Sequence, residues 1–304
     1  MEREQKEHLL KEFDKLAQKV GSQAKACRLV GISPSIMTPL RKGEYGGAEE
    51  KQYEILANYF QIKEEAKAGR QAETYVPTSI SESVYAYIRN AQIKGGLLAI
   101  SGAAGIGKTR AIRKYAAESQ GTCLWITANP CLNTVKPILK KLCKELNIAN
   151  VRTNDDMYMA ILEKLRDGMV LVFDEAQHLS LKVIETLRGF SDYFLDRNMT
   201  LGIVFVGNST TITRFGGRQD AVFEQIANRT IQKPVFQTSD IRKKDIQMLY
   251  PELTDEKSID FMLKIAQSRE AIRGANNLFS NAYDNENISY EGLVSMAKHM
   301  HMMI

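Results

Sequence analysis

A glycine-rich run that ends in lysine and threonine is the segment whose residue types and spacing most clearly indicate chemistry. Residues 102–109 read Gly-Ala-Ala-Gly-Ile-Gly-Lys-Thr, which is the Walker A pattern, and an apolar strand before it and a helix after it supply the required context. The glycines let successive backbone N–H groups point at phosphate oxygens, while Lys108 adds a positive charge and Thr109 offers a hydroxyl to Mg²⁺. We therefore predict an ATP phosphate site made of Gly102, Ala103, Ala104, Gly105, Ile106, Gly107, Lys108, Thr109 and Arg110.

An acidic pair follows a second apolar run. Residues 170–173 are Val-Leu-Val-Phe, and Asp174 and Glu175 come directly after them. Parallel strands bind ligands at their carboxyl ends, so this pair is expected beside the phosphates. Asp174 would hold Mg²⁺ together with Thr109, and Glu175 would deprotonate the attacking water. On its own the pair would be read as two solvated carboxylates, but a Walker A run elsewhere in the chain favours the catalytic interpretation.

Asn208 and Arg229 complete the predicted catalytic set with Glu175. Asn208 follows the apolar run 204–206 and Gly207, where its amide could bond the attacking water or the γ-phosphate; an asparagine that forms a turn is the alternative. Arg229 ends a predicted helix, a position that also suits the helix dipole. Because none of the other motifs provides an arginine for the transferred phosphate, we expect Arg229 to reach into the site of a neighbouring subunit.

Short apolar runs alternate with helical stretches through the middle of the chain, at 97–101, 122–127, 169–173 and 201–206. This alternation predicts an α/β fold with a parallel sheet covered on both faces. The flanking regions read as helices only. We predict a helical domain at 1–65, a linker at 66–78, the nucleotide-binding α/β domain at 79–234 and a helical domain at 235–304.

Composition adds few constraints. The chain has 304 residues, 44% of them hydrophobic, and a net charge of +5, which fits a globular protein and permits nucleic acid binding without indicating it. The cysteines are scattered without metal-ligand spacing, and neither a membrane-length apolar run nor the apolar core of a signal peptide is present. We expect reduced thiols, no membrane and a cytoplasmic location.

The first domain has the pattern of a helix-turn-helix. Helices are predicted at 7–20, 23–30, from Ser33-Pro34 onward, and at 49–60, with Gly31 in the turn and Gly43 ending the third helix. Pro39 would kink or shorten that third helix, so a protein-binding role for this domain stays open beside DNA binding. The residues expected to face DNA are Ser33, Ser35 and Arg41.

These motifs together resemble the AAA+ ATPases. The run Asp-Glu-Ala-Gln-His-Leu at 174–179 and Tyr-Val-Pro-Thr at 75–78 are similar to the Mu B family of phage transposition proteins, which choose target DNA for DDE transposases. The resemblance implies an AAA+ P-loop sheet with an N-terminal helix-turn-helix domain and a C-terminal helical lid. In the segment where the family carries a sensor arginine, position 277 is asparagine, so Arg273 is expected to contact the nucleotide instead.

The resemblance also implies partners. We expect a helical homo-oligomer on double-stranded DNA, sequence-nonspecific phosphate contacts, and recruitment of a DDE transposase. Candidate DNA contacts lie after the second strand and after the acidic pair, although each could be an ordinary surface cation: Lys136, Lys140, Lys182 and Arg188. The alternatives are a helicase loader or replication initiator, a secretion-type ATPase, and a DNA-binding module with an inactive nucleotide site; intact Lys108, Asp174 and Glu175 argue against the last.

Overall fold

The computed structural model describes residues 3–68, 75–209, 211 and 230–302. The chain divides into two compact units, Met1–Thr74 and Tyr75–Ile304. The finer boundaries that the sequence suggests within them remain predictions. Among the described residues, no helix combines the length and the apolar character needed to cross a membrane.

The first unit contains helices α1 (Arg3–Val20), α2 (Gln23–Val30), α3 (Pro34–Lys42) and α4 (Glu49–Ala68). Ser22 caps α2 by accepting a hydrogen bond from the Lys25 N–H, and Gly31 and Gly43 end α2 and α3 in the left-handed conformation that glycine tolerates. The helices pack around a small core: Phe13, Ala26, Cys27, Val30, Ile32, Met37, Leu40, Tyr53 and Leu56.

Two details of this unit differ from the sequence-based expectation. Helix α3 runs from Pro34 to Lys42 with Pro39 inside it, so this proline does not end the helix. Helix α4 continues to Ala68 instead of ending near Phe60, since the Glu-, Lys- and Ala-rich stretch beyond Phe60 consists of good helix formers.

The second unit begins with α5 (Ser79–Lys94) and builds a parallel sheet from β1 (Gly96–Gly102), β2 (Cys123–Thr127), β3 (Met169–Asp174), β4 (Leu201–Gly207), β5 (Thr230–Gln232) and β6 (Val235–Phe236). The strand order is β2-β3-β4-β1-β5, with β6 also paired to β1. Strands β5 and β6 are too short to give a recognisable sequence pattern, so sequence analysis misses both, and β6 lies where the helical domain was predicted to begin. The α/β fold with a parallel sheet is confirmed.

Helices cover both faces of this sheet. Helices α6 (Lys108–Glu118) and α5 share one core with the carboxyl-terminal helices α10 (Lys243–Leu249), α11 (Glu256–Gln267), α12 (Ala271–Asp284) and α13 (Tyr290–His299). Helices α7 (Val135–Glu145), α8 (Asn154–Lys164) and α9 (Leu181–Leu195) form the second core on the other face. The central strands are therefore buried on both sides, which explains their near-continuous apolar sequences.

Asp245 joins the carboxyl-terminal helices to α5. Its side chain is fully buried and accepts hydrogen bonds from the Ser79 N–H at 2.7 Å, the Ser79 hydroxyl at 2.9 Å and the Arg242 N–H at 2.8 Å. These bonds satisfy a buried carboxylate and fix the start of α5 against the start of α10.

Candidate nucleotide site

The strand register brings the predicted catalytic segments to one edge of the sheet. Ser101 of β1 pairs with Gly207 of β4, and Phe173 of β3 pairs with Phe205 of β4. The Ser101 hydroxyl also donates to the Asn208 carbonyl at 2.7 Å. The glycine-rich loop, the acidic pair and Asn208 consequently follow three adjacent strands at their carboxyl ends.

The loop between β1 and α6 has the shape that its glycines allow. Gly107 has φ +101° and forms the N-cap of α6 without a side-chain bond, so the first N–H groups of this helix are not capped by that residue and can bind an anion. An L side chain at this φ would be strained.

Lys108 lies inside this loop. Its Nζ donates to the carbonyl oxygens of Gly102 at 2.9 Å and Ala103 at 2.7 Å. Burial lowers the pKa of Lys108, while the carboxylates of Asp174 and Glu175 act in the opposite direction. The ammonium group is thus held between the loop and the acidic pair.

Thr109 and Asp174 are directly bonded. The Thr109 hydroxyl donates to Asp174 Oδ2 at 2.7 Å, and the Glu175 N–H donates to Asp174 Oδ1 at 2.9 Å. Asp174 is 2% exposed, and burial raises the pKa of its carboxyl group, an effect that these two hydrogen bonds oppose.

The Thr109–Asp174 pair fits a magnesium ion. Two adjacent oxygen ligands of an octahedral Mg²⁺ lie about 2.9 Å apart, close to the observed separation of 2.7 Å. Neutral hydroxyl and carboxylate oxygens are also the donors that Mg²⁺ prefers. Within the described residues no group of three or more His, Cys, Asp or Glu side chains could hold a metal, so further ligands would have to come from phosphate and water.

Arg273 contacts the glycine-rich loop through its backbone. Its N–H donates to the Gly105 carbonyl at 3.2 Å, and a Cβ placed on Gly105 would lie 3.0 Å from the Arg273 Cβ. The first turn of α12 therefore packs on the loop, as the expected nucleotide role of Arg273 requires. The contact of its guanidinium with a nucleotide remains a prediction.

Arg229 lies outside the described residues, so its predicted role in a neighbouring subunit stays a prediction. Asn208 and Glu175 lie at the predicted edge of the sheet. Glu175 has a left-handed backbone with φ +54°, which is uncommon for a residue other than glycine. Sequence reasoning assigned no role to Gln177, whose amide contacts both of these segments.

The candidate DNA contacts differ in their surroundings. Lys136, Lys140 and Lys182 are exposed, whereas Arg188 forms an ion pair with Asp192 at 3.3 Å and is only 22% exposed. Lys136 and Lys182 line a cleft of about 520 Å³, which we call the lysine cleft, at the amino-terminal ends of α7, α8 and α9. Its other lining residues are Thr134, Val135, Leu139, Asn154, Asp155, Tyr158, Ser180 and Thr186.

The candidate DNA contacts of the first unit already have partners within that unit. Arg41 forms an ion pair with Asp14 at 2.7 Å and donates to the Gln23 amide oxygen at 3.2 Å. The hydroxyl groups of Ser33 and Ser35 are hydrogen bonded to each other at 2.7 Å. A contact with DNA would have to replace or share these bonds, and it remains a prediction.

The sequence matches known proteins along most of its length. Residues 92–215 match the family described as AAA domain. The chain is 26% identical to the Mu-like prophage FluMu DNA transposition protein B of Haemophilus influenzae, a match that covers 83% of this chain and 88% of that protein. It is 23% identical to the ATP-dependent target DNA activator B of Escherichia phage Mu, over 81% of this chain and 78% of that protein.

Solved structures share the fold. The Cdc6p protein of Pyrobaculum aerophilum superposes with a TM-score of 0.54 at 17% identity, covering 75% of this chain and 69% of that one. The ORC2 protein of Aeropyrum pernix gives a TM-score of 0.53 at 13% identity, covering 75% of this chain and 70% of that one. The solved structures show that the fold is shared. The AAA domain match and the nucleotide site identify the chain as an AAA+ ATPase, and its sequence relatives show that it is similar to the Mu B transposition proteins.

Proposed function

We propose that this ATPase binds double-stranded DNA without sequence preference, assembles on it as a helical homo-oligomer with ATP bound, and recruits and activates a DDE transposase. The observation that carries the proposal is the Lys108–Thr109–Asp174 cluster, in a chain whose relatives include a protein named as an ATP-dependent target DNA activator.

In the nucleotide site, the loop 102–109 would bind the phosphates of ATP and Lys108 would lie against the β- and γ-phosphates. Thr109 and Asp174 would hold Mg²⁺, which when bound neutralises charge on the phosphate oxygens. Glu175 would take a proton from the attacking water, and Asn208 would orient that water or the γ-phosphate. Hydrolysis would yield ADP and phosphate.

The lysine cleft supports the DNA-binding part of the proposal. Helix amino termini carry partial positive charge and favour phosphate oxygens, and Lys136 and Lys182 are exposed at two of the three helix starts. Neither lysine forms an ion pair within the described part of the chain. Asp155 in the same cleft is acidic, so contacts would depend on the two lysines and the backbone rather than on the whole lining.

The assembly part of the proposal depends on Arg229. A neighbouring arginine that binds the γ-phosphate would make the subunit interface depend on ATP, and hydrolysis would release it. An arginine supplied by the neighbouring subunit in this way would explain how the bound nucleotide controls the association of subunits on DNA.

Electron microscopy of the protein with nonspecific duplex DNA tests this function. We expect filaments on DNA with a nonhydrolysable ATP analogue and none with ADP, and we expect Arg229→Ala to form none with either nucleotide while still binding a fluorescent nucleotide. Discrete hexamers, or no association with DNA at moderate salt, would contradict target-DNA assembly and would favour a helicase loader. Pull-down of a DDE transposase by the filaments tests recruitment.

A further inference from the structure

Gln177 connects the ends of two strands in the nucleotide site. It lies in the short helical turn Ala176–His178 that follows Glu175. Its Nε2 donates to Glu175 Oε2, and its Oε1 accepts a hydrogen bond from the Asn208 N–H at 3.4 Å. One side-chain amide thus bridges the acidic pair after β3 and the turn after β4.

Gly207 makes room for this bridge. A Cβ at position 207 would lie only 2.5 Å from Gln177 Oε1 and 2.1 Å from the Thr211 hydroxyl oxygen. Thr211 is fully buried, and its hydroxyl has no hydrogen-bond partner among the described residues. The Gln177 amide oxygen therefore occupies space that any residue larger than glycine at position 207 would take.

The backbone conformation of Glu175 indicates that surrounding contacts hold this residue in place. Its left-handed conformation, φ +54° and ψ +38°, is uncommon for a residue with a side chain. Such conformations persist where surrounding contacts hold them. The bonds that hold Glu175 include its own N–H to Asp174 Oδ1 and its carboxylate to Gln177.

We propose that Gln177 is a positioning residue for hydrolysis: its amide holds the Glu175 carboxylate and ties that position to the backbone of Asn208. The proposal rests on the proposed function, in which Glu175 is the base and Asn208 contacts the water or the γ-phosphate. A shift of Asn208 on γ-phosphate binding moves the Gln177 amide and, through it, the Glu175 carboxylate. Gln177 itself need not touch the reacting atoms.

The chemistry of glutamine suits this task. Its amide donates to a carboxylate and accepts from a backbone N–H at the same time. Gln177→Met keeps the length of the side chain and removes both bonds. Gln177→Glu keeps an acceptor for the Asn208 N–H but places a second carboxylate against Glu175, which repels it.

The chain offers a matched control in Gln92. This side chain also bridges two segments, donating to the Gly168 carbonyl at 2.8 Å and accepting from the Tyr115 hydroxyl. Gly168 precedes β3, so this bridge lies at the opposite, amino-terminal end of that strand. Gln92→Met should lower the melting temperature and leave the turnover number per folded protein unchanged.

The test measures ATP hydrolysis in the presence of DNA, together with the affinity for a fluorescent ATP analogue and the melting temperature. Because a general base contributes a factor of about 100 to 10,000, a displaced base should retain part of it; we expect Gln177→Met to lower kcat roughly 30-fold and Gln177→Glu roughly 100-fold. We expect the KM for ATP and the affinity for the analogue to change by less than about threefold, because the contacts that bind ATP in its ground state are not altered.

A second comparison asks whether Gln177 acts through Glu175. In a Glu175→Gln background, adding Gln177→Met should cause no further loss of hydrolysis, because the group that it positions is already neutral. An equal loss in both backgrounds would overturn the proposal. So would a lowered melting temperature with an unchanged turnover number per folded protein, which is the result expected for Gln92→Met.

The failures of the two proposals are distinguishable. Full hydrolysis by Glu175→Gln would overturn the assignment of the base and with it the role of Gln177. Loss of hydrolysis in Glu175→Gln, with unchanged hydrolysis in Gln177→Met, would overturn the role of Gln177 alone.

Discussion

At the carboxyl edge of the sheet, Asp174 is 2% exposed and is bonded to both Thr109 and the Glu175 backbone. At the lysine cleft of the same unit, Lys136 and Lys182 are exposed and form no ion pair with other described residues. The first region fixes the atoms of a few side chains relative to one another, whereas the second supplies positive charge without fixed geometry.

The difference matches what each region is proposed to do. Phosphoryl transfer depends on positioning, so an error of about 1 Å is costly. Sequence-nonspecific binding to DNA depends mainly on the number of phosphates neutralised. The edge of the sheet should therefore tolerate no change of shape, and the cleft should tolerate most changes that keep its charge.

Lys108→Ala provides the most severe test of the fixed site. Loss of the charged partner of the phosphates should weaken ATP binding by roughly 100-fold and leave hydrolysis undetectable. Titration with a fluorescent ATP analogue measures the effect. Lys94→Ala, at the exposed end of α5, is the control with the same change of charge; ATP binding by Lys108→Ala at the level of this control would contradict the assigned phosphate site.

Thr109→Val tests whether hydroxyl geometry matters as well as charge. The variant removes the bond to Asp174, and half-maximal hydrolysis should require about tenfold more Mg²⁺, as is usual when a metal site loses a supporting group. A magnesium titration of the ATPase rate measures this shift. Thr109→Ser keeps the hydroxyl and should behave like the parent protein; equal magnesium requirements in both variants would exclude Thr109 from the metal site.

The affinity of the lysine cleft for duplex DNA should depend on charge alone. Replacing both Lys136 and Lys182 by alanine should weaken binding to duplex DNA about tenfold at moderate salt and reduce the slope of log K against log salt by about 2. Replacement of both by arginine should preserve binding. The control replaces both Lys144 and Lys164 by alanine; these lysines are exposed in the last turns of α7 and α8, at the ends opposite to the cleft. Fluorescence anisotropy at several salt concentrations measures the affinity of all three variants for duplex DNA.

If the control double variant loses as much affinity as the cleft variant, overall charge rather than the cleft determines binding.

Arg188→Ala should have the smallest effect. Its guanidinium is paired with Asp192 at 3.3 Å and mostly buried, so it contributes little charge to the surface. We expect the affinity for DNA to change by less than about twofold, as for other cations neutralised by a nearby carboxylate. A loss beyond about fivefold in the same anisotropy assay would show that the ion pair opens on DNA.

The parts of the site that are easiest to predict from sequence are those fixed by short-range geometry. Gly107 and Lys108 belong to a run whose spacing is dictated by the phosphates, and Asp174 follows a strand whose burial is plain from its apolar residues. The parallel α/β fold follows from the alternation of apolar runs and helices, and the structure confirms it. The AAA+ fold is implied by the family resemblance, and the comparisons confirm it.

Contacts between distant segments were not predictable in the same way. The bridge from Gln177 to Asn208 depends on how β3 and β4 pair, and the small size of Gly207 has meaning only once Gln177 lies above it. Sequence patterns indicate which residues share an element, but such contacts are decided by tertiary packing.

Because Asp245 is buried and bonded to a backbone amide, hydrogen exchange at that amide reports on the motion of the carboxyl-terminal helices. The Ser79 N–H is bonded to Asp245, so this amide can exchange its hydrogen with solvent only when the start of α10 separates from α5. Its exchange rate can be measured by NMR or by mass spectrometry of a peptide that spans it. This rate therefore reports how often α10 separates from α5. Slower exchange with ATP than with ADP would mean that the nucleotide holds the helices closed while the γ-phosphate is present.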